Sequence, residues 1–184
     1  DKKETWKTRY GDFEIRIKIG LACGNVEWGI VGEKTHKSFY FRGDAIDNCA
    51  ESEHYAKKQE IIVASHLHGE LVSSNGHFQA INNNFYKLIK DFGEEKNTAY
   101  PTKKEKTLSV KVAQNFLLNS VIKFNQQGEF RSVITVFISF AGASDHRILN
   151  SFVSTVVNEF YNFSGYFKEV DFGDKGGVMV GFFG

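Results

Sequence analysis

His66 and His68 are two imidazoles two residues apart, a pair that can ligate a divalent metal ion once a third ligand joins. No third ligand is in sight along the sequence, so the pair reads as surface histidines. His36, His54, His77 and His146 are scattered. The run Gly173-Asp174-Lys175-Gly176-Gly177 brings a carboxylate and an ammonium into a glycine-rich stretch. It lacks the spacing and the following helix of a phosphate loop, and its composition is that of a hairpin turn. A Ser-His-Asp or Cys-His nucleophile is a spatial arrangement, and none is readable from linear order. Cys23 and Cys49 are the only cysteines. Two are too few for a disulfide framework, which points to a reducing, cytoplasmic setting.

The 184 residues suffice for one domain or two small ones, and at 41% apolar a packed core is expected. A net charge of +1 gives no pointer to nucleic acid or an acidic membrane. Lys103, Lys104 and Lys106 are interrupted by Glu105 and read as a solvated linker. No apolar run reaches membrane-spanning length and no signal peptide leads the chain. The chain starts at Asp1 and its only methionine is Met179, so it reads as a piece of something longer.

The elements that must position any site follow from periodicity. Asp1 to Asp12 is a polar connection with Trp6 and Tyr10. Ile15, Ile17 and Ile19 alternate with Arg16 and Lys18, the period of a half-buried strand. Gly20 and Gly24 bracket Leu21-Ala22-Cys23, where the backbone can bend or be approached closely. Val26–Val31 and Ser38–Phe41 read as two further strands across a polar turn. Gly43-Asp44 opens a helix to about Lys57, and Glu60–Ala64 is a short buried strand. Ser65 is the expected cap of a helix to Val72, and Phe78–Ile81 with Phe85–Ile89 read as a hairpin.

Residues 91 to 106 hold the one proline, Pro101, and have no periodicity, as in a linker. Leu108 to Gln126 is amphipathic and ends at Gly128. Ser132–Phe140 is apolar on both faces, like a central strand. Ser144 or Asp145 caps a helix with two stripes, Ile148/Phe152/Val156/Phe160 and Leu149/Val153/Val157/Tyr161, ended by Ser164-Gly165. Phe167–Phe172 and Val178–Phe183 complete a hairpin.

Ile19-Gly20-Leu21-Ala22, Gly32 and Gly43-Asp44-Ala45-Ile46-Asp47 keep, without a gap, the spacing IGLAxGxxxxxxxG, short strand, IGQAVD. The run from Phe13 to Glu51 therefore resembles the second half of a class III nucleotide cyclase homology domain. It is most like the first such domain of the soluble, bicarbonate-responsive adenylyl cyclases. The strand–helix–hairpin order of residues 131–184 resembles the first half of a cyclase domain, by pattern more than by identity. The resemblance implies an α+β fold of ferredoxin-like cyclase halves, with helices packed on antiparallel sheets. It implies a division into residues 1–90, a linker with one amphipathic helix at 91–130, and residues 131–184.

Cyclisation of ATP is an intramolecular phosphoryl transfer: the 3′ hydroxyl attacks the α-phosphate and pyrophosphate leaves. Two metal ions held by carboxylates activate the attacking oxygen and neutralise developing charge. The resemblance implies Mg²⁺ or Mn²⁺ in an active parent, held by one aspartate on the first strand and one in the hairpin turn. Those positions fall on Ser139 and Asp174. A single carboxylate makes a poor two-metal site, and Asp174 equally suits the turn. The adenine-reading lysine falls on Lys168; a solvated strand lysine is its other reading. The transition-state Asn and Arg positions fall on Asp47 and Glu51, whose charges would repel a triphosphate. The bicarbonate-binding arginine falls on Ala50, with Asp171 nearby, so bicarbonate is not expected to bind well.

This asymmetry is that of a tandem cyclase with one active site, whose metal aspartates would precede Asp1 and whose Asn/Arg pair would follow Gly184. The expectation is a piece of a soluble tandem adenylate cyclase that makes cyclic AMP and pyrophosphate from ATP, with no catalytic residue of its own and inactive alone. Its partners would be ATP in the parent and the remaining halves of the two domains. The alternative is a degenerate cyclase-like module with a structural or regulatory role in a larger assembly. A third, an unrelated ferredoxin-like binding domain, requires the Phe13–Glu51 match to be chance.

Overall fold

The structure is a computed structural model and describes residues 5–33, 36–73, 76–90, 109–117, 122–123, 131–173 and 175–184. The linker expected at 91–106, residues 107–108, most of the chain from 118 to 130, and Asp174 lie outside the described residues. What is described is mixed α and β, with antiparallel ladders, a parallel pairing and helices on the sheets. Two compact units form, and they do not follow chain order. The described residues up to Asn25 join those of Asp44–Lys96; Val26–Gly43 joins those of Asn97–Gly184.

In the first unit, β1 (Thr5–Thr8) and β2 (Gly11–Glu14) form a hairpin where the sequence predicts only a polar connection. The turn is local chemistry: Thr8 Oγ1 donates to the Gly11 carbonyl at 3.0 Å and accepts from Tyr10 N–H at 3.1 Å. Gly11 sits at φ +127°, where a side chain would be strained. The strand expected from Ile15 starts only at Ile19: β3 is Ile19–Leu21, and Ile15 and Ile17 stay exposed. β3 runs parallel to β6 (Ile61–Ala64), and α1 (Asp44–Tyr55) packs on both. That packing needs Gly20, because a Cβ there would overlap the backbone of Cys49 and Glu53. α2 (Ser65–Val72) begins at Ser65 instead of being capped by it; Ala64 occupies the cap without a side-chain bond. β7 (His77–Ala80) and β8 (Phe85–Lys90) complete a sheet of order β3-β6-β8-β7. Its core is small: Ala56, Ile62, Ala64 and Phe85, with Ala22 against them.

In the second unit, β4 (Glu27–Glu33) and β5 (His36–Arg42) form an antiparallel hairpin in which Val31 faces Ser38 and Gly29 faces Tyr40. The amphipathic helix expected from Leu108 is described only as α3 (Val110–Ala113). Beyond it the chain tightens into a turn: Asn115 N–H and Phe116 N–H bond three residues back, and the Asn115 amide donates to the Lys111 carbonyl at 3.2 Å. β9 (Ile134–Phe140), α4 (His146–Asn162), β10 (Tyr166–Gly173) and β11 (Gly176–Phe183) follow, with sheet order β10-β11-β9. Asp145 is the cap of α4, accepting from Arg147 N–H at 2.7 Å and Ile148 N–H at 3.4 Å. At its end Ser164 turns left-handed (φ +56°) and Gly165 N–H reaches the Phe160 carbonyl, a Schellman closure. The inward face takes three members of one expected stripe and one of the other. Leu149, Val153 and Val157 are buried with Phe160, whereas Ile148 and Tyr161 are exposed. The core joins Val31 and Tyr40 of the hairpin to Leu149, Val153, Val157, Val170 and Met179.

Candidate functional site

Side-chain parity along β10 sets the site. Val170 packs in the core under α4, and Phe167 and Phe172 pack against it. Strict alternation from Val170 would put Lys168 inward and Phe167 outward. The ladder slips instead: Phe167 pairs with Gly181 and Glu169 with Val180, leaving Lys168 as an extra residue in a β-bulge. The bulge turns Lys168 and Glu169 to the same outer face. That is why two consecutive strand residues can form an ion pair, with Lys168 Nζ 2.6 Å from Glu169 Oε1. The hydrogen bond that Lys168 donates to Glu169, then the Glu169 charge, holds the Lys168 ammonium above the ordinary lysine range, and Asp171 adds in the same direction.

β5 lies beside β10, tied by Val170 N–H donating to Ser38 Oγ at 3.3 Å. Tyr40 faces the core, so alternation turns Phe39 and Phe41 to the outer face with Lys168 and Glu169. The start of β5 is held to the turn after α3 by Lys37 N–H donating to the Asn115 carbonyl at 2.9 Å. These pieces enclose a cavity of about 250 Å³ between β5, β10 and the α3 turn. Phe39, Phe41, Phe116, Leu117 and Tyr166 supply apolar and aromatic wall; Lys37, Lys168, Glu169 and Asp171 supply charge of both signs. The volume falls below the roughly 300–1,000 Å³ of pockets that enclose a drug-sized ligand. A larger depression of about 590 Å³ runs along α4, lined by Asp145, Arg147, Ile148, Ser151, Phe152 and Thr155. Among the described residues α4 and its cap alone form its wall, and we do not regard it as a site.

A polar cluster fixes the hairpin that forms one wall of the cavity. Tyr40 is 1% exposed and its hydroxyl donates to Glu27 Oε1 at 2.8 Å, with His146 Nδ1 at 3.0 Å. Arg42 donates to both Glu27 carboxylate oxygens (2.8 and 2.9 Å) and to the carbonyls of Ala143 (2.8 Å) and Ser144 (2.6 Å). Its guanidinium also lies over the Tyr40 and Phe172 rings. Gly32 N–H adds a bond to Asn150 Oδ1 at 2.9 Å. The Tyr40 hydroxyl first, and Arg42 second, hold the Glu27 carboxyl below the usual carboxylate range.

Ser139 lies on β9 opposite Val178, which in turn faces Asp171, so all three share one sheet face. Ser139 is therefore on the outer face, two strands away from Lys168. Asp174 is outside the described residues. Among the described residues no three or more His, Cys, Asp or Glu side chains are grouped to hold a metal. Asp47, Ala50 and Glu51 lie on α1 of the other unit. His66 and His68 are both on α2, where residues two apart point to different sides and cannot share an ion. His68 instead stacks on Tyr86, with centroids 3.6 Å apart, and meets the Phe78 ring edge-on. Glu169, Phe39 and Phe41 were not singled out by their sequence. The alternation of residues 38–41 was a usable signal, but the bulge that aims Glu169 was not.

The fold and cavity thus define a mixed α+β protein with a small, aromatic-walled cleft in its second unit. No protein-family model matches the chain. Human adenylate cyclase type 10 is 33% identical to it over 51 residues, which make up 28% of this chain and 3% of that protein. The chain is therefore similar over a short stretch to an adenylate cyclase. Among the described residues no helix is long and apolar enough to cross a membrane.

Proposed function

We propose that this chain is part of a soluble, cytoplasmic tandem adenylate cyclase that converts ATP to cyclic AMP and pyrophosphate, and that the piece alone is inactive. The observation that carries the reading is the local identity to human adenylate cyclase type 10. Lys168 beside aromatic wall in a small cavity supports it. In this reading residues 1–90 are the back half of one cyclase domain, 91–130 a linker, and 131–184 the front half of the next. Lys168 donates to adenine N1. Asp174 lends at most a single carboxylate to Mg²⁺ or Mn²⁺, and the remaining ligands come from the parent. A second reading, a degenerate cyclase-like module in a larger assembly, fits the same substitutions, Ser139 among them, and aspartates at the metal positions upstream of this stretch would separate the two.

The test is cyclic AMP formation from ATP with Mg²⁺ or Mn²⁺. The 184-residue chain should form none, and the parent protein carrying it should. Turnover by the purified chain sinks the claim of inactivity; an inert parent with intact nucleotide binding favours the module.

A further inference from the structure

We propose that Glu169 shares base recognition with Lys168, so that the β5–β10 cavity accepts guanine as well as adenine. The inference rests on the reading of this cavity as a base site and adds a residue that decides its specificity. A lone lysine offers only donors and would favour adenine, whose N1 is an acceptor, over guanine, whose N1 carries hydrogen. The bulge changes what is offered. Lys168 Nζ and Glu169 Oε1 stand side by side 2.6 Å apart, both lining the cavity, with side chains 48% and 42% exposed. A donor next to an acceptor matches the adenine edge, with the ammonium on N1 and the carboxylate on the 6-amino group. It matches the guanine edge as well: the ammonium meets O6, and the carboxylate accepts from N1–H and the 2-amino group. Guanine uses the carboxylate twice and adenine uses it once. Among the described lining residues Lys37 and Lys168 stand against Glu169 and Asp171, a balance suited to a neutral base more than to phosphates.

The experiment is an NMR titration of the whole 184-residue chain with AMP and with GMP to millimolar concentration, read on the Phe39 and Phe41 ring signals. Both nucleotides are expected to bind, with Kd values within about tenfold of each other. Glu169→Gln should weaken GMP by about tenfold and AMP by no more than about threefold, because a charge-assisted acceptor is roughly twice as strong as a neutral one. Lys168→Met should weaken both. An AMP-to-GMP ratio unmoved by Glu169→Gln overturns the proposal, as does wild-type binding of AMP without GMP; either leaves the base site standing. Binding of neither nucleotide to the folded wild-type chain removes the base site and this proposal together.

Discussion

The first unit closes its core with Ala56, Ile62, Ala64 and Phe85, which lie within a short reach of chain. The second buries Val31 and Tyr40 against Leu149, Val153 and Val170, which follow more than a hundred residues later. The first is held mainly by strand ladders and the close approach of α1 at Gly20. The second adds a polar cluster at the seam, with Arg42 bridging Glu27 and two carbonyls of the 143–144 loop. Distant pieces of chain lose more entropy on meeting than near ones, and the second unit offsets this with a larger core and more directional bonds. The difference teaches that the cavity is a property of the seam: one wall is the hairpin, the other is β10.

The largest expected effect separates the two cores. Leu149→Ala should cost about 2–5 kcal/mol. Hydrogen exchange should then rise together in β4, β5 and β9–β11 while β6 and β8 keep their protection. Phe85→Ala, at about 3–5 kcal/mol, should do the reverse. If Leu149→Ala leaves the hairpin as protected as before, the hairpin does not belong to the second unit's core and the comparison fails.

A smaller change sharpens the account of the seam. Arg42→Ala removes a guanidinium that is 14% exposed and leaves two loop carbonyls without their donor. The expected cost is about 1.5–3 kcal/mol, measured by urea unfolding, with exchange rising first in β5 and the 143–145 loop. Lysine at this position should not restore it, because one ammonium cannot span the carboxylate and both carbonyls. Full rescue by Arg42→Lys would mean that charge alone, and not the forked geometry, holds the hairpin.

The smallest effect is on pH. Folding lowers the Glu27 carboxyl below its ordinary value, the Tyr40 hydroxyl being the first cause and Arg42 the second. Its contribution is therefore complete above the unfolded carboxylate value of about 4.3 and fades as pH falls through the lower folded value. Glu60 in the first unit is lowered too, by Lys87 first, so acid weakens both units and only a region-resolved probe separates them. Glu27→Gln should loosen β5 at neutral pH and converge with wild type in acid. Equal loosening of β5 at every pH would show that the carboxylate charge contributes nothing.

How much of this could be read from sequence differs between the units. The apolar run at residues 132–140 and the four-residue spacing at 149–157 located β9 and α4, and the glycines at 173–177 located the turn region; the run reads as a central strand, whereas β9 pairs only with β11 among the described strands. The resemblance at Phe13–Glu51 rests on glycine spacing, and the local identity over 51 residues to an adenylate cyclase supports a cyclase-like origin. What periodicity could not give was partnership. A strand's pattern reports that one face is buried without naming the chain that buries it, so Tyr40 meeting His146 was invisible. The β1–β2 hairpin was missed because its turn is made by Thr8 hydroxyl bonds and a glycine, with no apolar alternation to announce it. The β10 bulge was missed because one unpaired residue leaves no mark on composition. The candidate site was half legible: Lys168 came from resemblance, and its neighbours came only from the fold.

The hairpin's dependence on α4 also has a history during synthesis. Tyr40 leaves the ribosome about a hundred residues before Leu149, a wait of roughly 5–20 s at 5–20 residues per second. Through that interval the hairpin can zip its own ladder, but Val31 and Tyr40 have nothing to pack on. A nascent chain stalled or cut before residue 146 should therefore carry an apolar ribbon and be a chaperone client, whereas the finished chain should release it once α4 has formed.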